Sequence, residues 1–490
     1  LQFNKIIFNN ILLVVCYIAS WATYRPGGGK FDLEDLDPSL CTHLIYSFAG
    51  LDESTLSIKS LDAWQDLEKD YGKGGYKRLV NLKSKYPHLK VTIAIGGWNE
   101  GSEKYSRMAA NPESRAKFIK SVMYFLDLYK FDGLDLDWEY PTQRGGNKED
   151  KANYVLLVKE LKDAFEPQGY ILTAALGAGL NTMQQAYDLI KLSRYLDFIH
   201  MMCYDYHGTW DGKVGANAPL RGAPHDVLNV EFTIKYMLSQ GVSPYKMVLG
   251  LPMYGRTFVL KNADVKEIEF NETEVKAGFP GPWTKENGFM GYNEICMETT
   301  NTSSNWTHHW HVQSATPYLR DGDRVISYDN PRSIANKIKL AMDYGLGGLM
   351  VWSIDTDDFK GDCGPESPEV TYTDFLQRYN KIVDDPVLKE AVKTLNPPTA
   401  HRYAKRSYYT VHNDKLHLSL PEPHISNYPL MVTINDATAL ALEEKRVMDA
   451  MDKITKENEI GGKKPDSGSS VVRSLFGAAL VSIFLVFSFL

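Results

Sequence analysis

The chain runs to 490 residues, of which 43% are hydrophobic and 12% aromatic, enough to build one large core plus an appendage. Its 54 basic against 61 acidic residues give a net charge of −7 with no sizeable basic cluster, so a nucleic-acid partner is not expected. Five cysteines (Cys16, Cys41, Cys203, Cys296 and Cys363) include no C-x-x-C pair, which excludes a zinc knuckle or thioredoxin-type motif on spacing. The odd number leaves one thiol outside any disulfide. Cys203 lies in the apolar run FIHMMCY, where a buried thiol behaves as a small hydrophobe. The other four are able to form two disulfides, which implies an oxidising compartment.

Leu1–Val15 is apolar in patches, with Lys5 its only charge. Cleavage near Cys16 would cut into the first strand, so any export signal is expected upstream. Short apolar runs then recur between segments of helical length: Leu12–Ile18, His43–Phe48, Lys90–Ile95, Gly133–Trp138, Tyr170–Ala175, Phe198–Tyr204, Met247–Pro252 and Gly348–Ser353. Pro112–Tyr129 and Asp150–Phe165 read as helices between them. Eight strands alternating with helices predict an α/β chain folded as a parallel (β/α)8 TIM barrel. About ninety residues separate the seventh strand from the eighth, far more than a loop needs. An inserted α+β subdomain is therefore expected from Phe258 to Ile326. It holds Cys296 and three N-x-S/T sequons, Asn271, Asn301 and Asn305, whose clustering in one polar stretch suits glycosylation of a secreted protein.

The barrel domain is expected over residues 13–380, followed by a polar extension or stalk over 381–474. Within it Ala441–Ile454 reads as an amphipathic helix and Thr455–Ser470 as a flexible stalk. Leu475–Leu490 is an unbroken apolar run preceded by the small residues Ser467, Gly468, Ser469 and Ser470, a pattern that fits a GPI-anchor signal. At 16 residues it is slightly short for a membrane helix, which is the alternative. The expected location is extracellular, either secreted or attached to the outer cell surface.

The segment FDGLDLDWEYP, Phe131–Pro141, carries the chemistry. Asp135, Asp137 and Glu139 are two apart, separated by Leu136 and Trp138, so a strand places the three acids on one side. Like charges in a row repel. Acid catalysis is the constraint that keeps such a row, since a neighbour's charge holds a carboxylic acid protonated near neutral pH. A calcium loop through Asp132, Asp135 and Asp137 would need a glycine at its turn and an irregular polar backbone, whereas the interleaved residues here are apolar. Barrel sites form at the C-terminal strand ends. Those ends bring Trp98, Tyr204 with Asp205, Tyr254 with Arg256, and Trp352, groups suited to stacking on and orienting sugar rings.

On these motifs the chain resembles the family 18 glycoside hydrolases, chiefly the secreted animal chitinases of arthropod type, over about residues 13–380. Asp132, Asp135, Asp137 and Glu139 match the family's D-x-x-D-x-D-x-E signature. CYIASWATYRPG, CTHLIYSFAG, IAIGGWN, MMCYDYHGTWD, PMYGRTF and GLGGLMVWSIDTDDFKGDCG follow in family order. The resemblance implies Glu139 as general acid and then base, with Asp137 holding the substrate's 2-acetamido N–H, Asp135 sharing its proton and charge beneath, and Tyr204 donating to the acetamido carbonyl. That carbonyl would attack C1 and form an oxazolinium ion, which departs from the two-carboxylate retaining scheme. Trp352 would floor the −1 sugar. Tyr17, Phe48, Gly97, Trp98, Met202, Asp205, Trp210, Tyr254 and Arg256 match cleft positions.

The resemblance further implies chitin and chito-oligosaccharides as partners, no metal or organic cofactor, and a monomer. It pairs Cys16 with Cys41 and Cys296 with Cys363, and it implies cis peptides at Ser47–Phe48, Glu139–Tyr140 and Trp352–Ser353. Two departures stand out. Many relatives have Thr where this chain has Cys203, and only Cys363 lies beyond residue 296, so no cysteine-rich chitin-binding module follows the barrel. The leading rival is a catalytically weak or inactive chitin-binding lectin or growth-factor-like member, although such relatives typically lose the acid that Glu139 supplies. A metal-dependent hydrolase and an N-glycan-core hydrolase are the others.

Overall fold

The computed structural model describes residues 12–300, 303–364, 366–395, 406–422 and 427–460. Eight parallel strands form: β1 (Leu13–Ala19), β2 (His43–Asp52), β3 (Lys90–Gly96), β4 (Gly133–Asp137), β5 (Ile171–Gly177), β6 (Phe198–Met202), β7 (Met247–Pro252) and β8 (Gly348–Trp352). Each pairs with the next, and β8 pairs back onto β1 with Leu13 opposite Gly348, so the sheet closes into a (β/α)8 barrel with helices between the strands. Closure removes every sheet edge, and it explains why these strands are buried on both faces and read as nearly continuous apolar runs. Ser57–Ser60 adds an antiparallel hairpin arm to the end of β2.

All eight apolar runs became strands, and both expected helices formed with the expected bounds, Pro112–Tyr129 and Asp150–Phe165. The first starts where Asn111 accepts a hydrogen bond from the Ser114 N–H (2.8 Å) and Pro112 occupies the first helical position, where no N–H is needed. Val15, Tyr17, Ile45, Ala94, Ala175, Met202, Val248 and Met350 pack together inside the barrel. The small Ala94 and Ala175 in this layer leave room for polar groups at the same level.

Between β7 and β8 lies a six-stranded antiparallel sheet running in space Val275–Ala277, Tyr254–Leu260, Arg324–Ser327, Thr316–Asp321 and Thr307–His311. Phe289–Gly291 pairs onto Tyr254–Leu260, and the helix Tyr292–Thr300 follows it in sequence. Val214, Phe258, Leu260, Ile268, Val275 and Val325 form its core. Cys16 is bonded to Cys41 and Cys296 to Cys363, while Cys203 is buried outside any disulfide. Asn271 and Asn305 are exposed, and Asn301 lies outside the described residues.

The strands and this sheet belong to one compact unit. Among the described residues, a second unit comprises 331–345, 366–395, 406–422 and 432–460. Its described elements include Pro331–Asp343, Thr373–Ile382, Pro386–Thr394, a hairpin of Tyr409–His412 with Lys415–Leu418, and most of a long helix, Pro429–Ile460. That helix is far longer than the expected Ala441–Ile454 and takes in the first residues of the expected stalk. Its buried positions include Thr433, Thr438, Glu443 and Glu444, polar side chains that blur the apolar period in the sequence. Inside this unit Lys339 bridges Asp343 (2.5 Å) and Glu444 (2.8 Å). The apolar run 475–490 lies outside the described residues, among which no helix is long and apolar enough to cross a membrane.

One close approach ties the barrel to the acid row. Gly96 ends β3 at φ 121° opposite Asp137, and a Cβ there would overlap the Asp137 backbone carbonyl. Next to it the Gly97 N–H donates to that same carbonyl (2.8 Å). Gly96→Ala is expected to destabilise the protein by about 2–4 kcal/mol, through strain and overlap that have no slack, measured by urea unfolding.

Candidate active site

The row Asp135–Asp137–Glu139 sits at the C-terminal end of β4, and its members have unequal surroundings. Asp135 is fully buried and accepts from Tyr17 Oη (2.7 Å) and Thr173 Oγ1 (2.5 Å), while His200 Nδ1 lies 3.1 Å from its Oδ1. Tyr17 spends its only proton on Asp135, so the Nδ1 of His200, 2.9 Å from the Tyr17 oxygen, must carry a hydrogen to face both groups. Thr173 stands directly opposite Asp135 in the β4–β5 register.

Asp137 is buried one step nearer the mouth, and its Oδ1 has no hydrogen-bond partner. Burial pushes its carboxyl well up, reinforced by the negative charges of Glu139 and Asp135. Glu139 lies two residues beyond the end of β4 rather than on it, because β4 ends at Asp137 and the intervening Trp138 turns its indole N–H to Ser102 Oγ (2.8 Å). The same Ser102 hydroxyl donates to the Tyr140 carbonyl (2.6 Å) and so fixes the backbone on both sides of Glu139. Burial raises the Glu139 carboxyl from about 4.5 to about 7. A hydrogen bond from Tyr140 and the charge of Arg144 oppose that rise, whereas Asp205 adds to it.

Arg144 donates from Nη1 to the Glu139 carbonyl (2.9 Å), and its guanidinium lies 3.5 Å from the ring centroid of Trp98, which is 58% exposed. Across the mouth, Asp205 accepts from Tyr254 Oη (2.8 Å) and Arg256 Nε (2.7 Å), and the Arg256 guanidinium sits 5.1 Å from the exposed Trp210 ring. Tyr204 stands edge-on to Tyr254 at 6.0 Å, with its hydroxyl 3.8 Å from the Met350 sulfur. Met202, Tyr204 and Trp352 line the top of the barrel interior. Trp352 stacks with Phe48 (5.7 Å), and Phe48 stacks with Trp21 (6.0 Å). The ring of Phe48 packs where a side chain at Gly97 would sit. The Ser47–Phe48, Glu139–Tyr140 and Trp352–Ser353 peptides are all cis.

The family model for glycosyl hydrolases family 18 matches residues 13–357, most of the chain. The chain belongs to glycosyl hydrolases family 18. It is similar to the probable chitinase 2 of Drosophila melanogaster, at 46% identity over 479 residues that cover 96% of this chain and 88% of that one. The endochitinase of Manduca sexta is 40% identical over 366 residues, 72% of this chain and 65% of that one. Among solved structures, the Group IV chitinase of Ostrinia furnacalis matches with a TM-score of 0.69 at 41% identity, over 72% of this chain and 96% of that chain.

Sequence reasoning had not singled out several residues of this family 18 site. Thr173 and His200 are buried polar residues inside the apolar runs of β5 and β6, and that anomaly was their signal. Trp21 and Tyr24 were in view within the CYIASWATYRPG motif. Both follow β1 directly, and both are exposed, at 45% and 55%. Trp64, half exposed, pairs with Tyr24 at 6.2 Å. Arg144 and Ser102 gave no sequence signal. The Glu139 carboxyl is expected to titrate with a midpoint near 7 in a carbon-13 NMR titration. Arg144→Gln should move that midpoint higher, because it removes a cation that favours the charged form.

Proposed function

We propose that this protein is a chitinase, cleaving β-1,4 bonds between N-acetylglucosamine units with retention by substrate-assisted catalysis. The observation that carries the reading is a raised acid, Glu139, next to a buried acceptor, Asp137 Oδ1, that has no hydrogen-bond partner among the described residues. Glu139 gives its proton to the glycosidic oxygen as the bond from C1 to that oxygen breaks. The sugar's own acetamido carbonyl oxygen attacks C1 from the opposite face and closes an oxazolinium ring. Asp137 accepts the acetamido N–H, which orients the carbonyl towards C1. Tyr204 donates to the acetamido group, and Asp135, bonded by Tyr17 and Thr173 with His200 beside it, lies beneath. Glu139, now ionised, takes a proton from water as that water attacks C1, and the ring reopens with the original anomeric configuration.

The exposed aromatic faces support an extended sugar chain as substrate. Trp352 floors the reacting ring, Trp21 and Phe48 continue on one side, and Trp98 and Trp210 stand at the mouth. The two disulfides and the exposed sequons support an extracellular location, and residues 475–490 are a candidate lipid-anchor signal. If the protein is so anchored, a phosphatidylinositol-specific phospholipase should release it from cell surfaces. Retention on the membrane after that treatment would count against the anchor.

Glu139→Gln is expected to lower kcat/KM on a chromogenic chitobioside by about 10²–10⁴-fold, the scale of a lost general acid. The wild-type rate should fall as pH rises through about 7, where Glu139 loses the proton it must donate. Chelation should leave it unchanged. Equal inertness of wild type and variant would point to a sugar-binding protein instead.

A further inference from the structure

The segment after β1 carries two exposed aromatic faces, Trp21 and Tyr24, and the chain that follows them must be held if those faces are to stay in place. One anchor is visible at Arg25, whose guanidinium pairs with the fully buried Asp355 (2.8 Å) and also donates to the Asp355 carbonyl (3.1 Å). The other anchor comes from the sheet inserted between β7 and β8. The indole of Trp283 lies flat across Gly27, Gly28 and Gly29, three successive residues without side chains. A Cβ on Gly28 would come to 2.5 Å of the indole six-membered ring, one on Gly29 would overlap the Trp283 side chain, and one on Gly27 would press its Nε1 at 3.3 Å. The glycine run is thus a seat shaped to one aromatic ring, and three larger side chains in a row would expel it.

Trp283 is itself fixed. Glu294 is fully buried, and its carboxylate accepts from the backbone N–H groups of Trp283, Thr284 (2.8 Å) and Gly291 (2.8 Å) and from Thr284 Oγ1 (2.7 Å). A side chain on Gly281 would collide with that same carboxylate. Four donors on one buried carboxyl group pin the loop, because losing any one leaves a buried polar group short of a partner.

We infer that Trp283 is a positioning residue. Its indole, carried on a backbone that Glu294 holds, clamps Gly27–Gly29 and thereby sets the aromatic faces of Trp21 and Tyr24 against distal rings of the sugar chain. This rests on the chitinase reading and deepens it. The inserted sheet then acts on the reaction without touching the scissile bond, by fixing the platform that holds the far end of a long substrate. A short substrate that does not reach Trp21 is indifferent to it.

The test compares a chito-hexaose with a chromogenic chitobioside in wild type, Trp283→Ala, Trp283→Phe and Gly28→Ala. Trp283→Ala is expected to lower kcat/KM on the hexamer about tenfold, or about 1.4 kcal/mol, mainly through KM, with kcat/KM on the chitobioside within twofold of wild type. Trp283→Phe should restore most of the loss. Gly28→Ala, which crowds the indole from the other side, should reproduce the selective loss and serves as the deciding variant if Trp283→Ala does not fold. An equal loss on both substrates, or no loss on either, overturns the inference. Trp21→Ala separates the two layers of the argument: a selective loss there without one in Trp283→Ala and Gly28→Ala sinks the clamp alone. A wild type inert on both substrates sinks the chitinase reading itself.

Discussion

Everything at this site depends on the burial of like charges in a closed barrel. Three carboxyl groups two residues apart would repel one another even in water, and inside a barrel each also loses its hydration. The structure resolves this by treating them unequally. Asp135 is bordered by three polar groups from three strands: a tyrosine from β1, a threonine from β5 and a histidine from β6. Nothing comparable reaches Asp137 Oδ1. The charge that Asp135 is equipped to hold is therefore part of what drives the Asp137 carboxyl upward, and Asp137 in turn shares its neighbourhood with Glu139.

The barrel makes that inequality possible. A closed parallel sheet satisfies all its backbone groups laterally, so its interior has no polar demand of its own except what inward side chains bring. Small residues in the interior layer, Ala94 and Ala175, make space for Asp135 and His200 at the same level. Gly96 lets β3 close directly on Asp137. The layer beneath the site is thus mostly apolar, with its few polar groups bonded to one another.

The strands were legible because parallel strands buried on both faces give near-continuous aliphatic runs, and the acid row was legible because a period of two is conspicuous in carboxylates. Thr173 and His200 were not, since one polar residue in an apolar run looks like tolerance rather than design until the partner strand is known. Trp21 escaped for the opposite reason: a tryptophan beside a strand is most often core, and here it is half exposed. In the second unit the long helix buries Thr438 and Glu444, the latter paired with Lys339, so a buried face read as a polar one. In each case the missing information was a partner far away in sequence.

The outer member of the row shows what the arrangement accomplishes. Burial alone would lift Glu139 further, and the charge of Asp205 adds to it, yet Arg144 and Tyr140 pull it back to about 7. A general acid works best when its proton is held near the ambient pH, neither given up before the substrate arrives nor kept too tightly to transfer. Arg144 holds the backbone carbonyl of Glu139 and lies on the exposed face of Trp98, so the group that moderates the acid also adjoins an aromatic surface at the cleft mouth. The same geometry divides the two inner acids: Asp135 is already committed to its neighbours on three strands, while Asp137 keeps one oxygen spare as an acceptor.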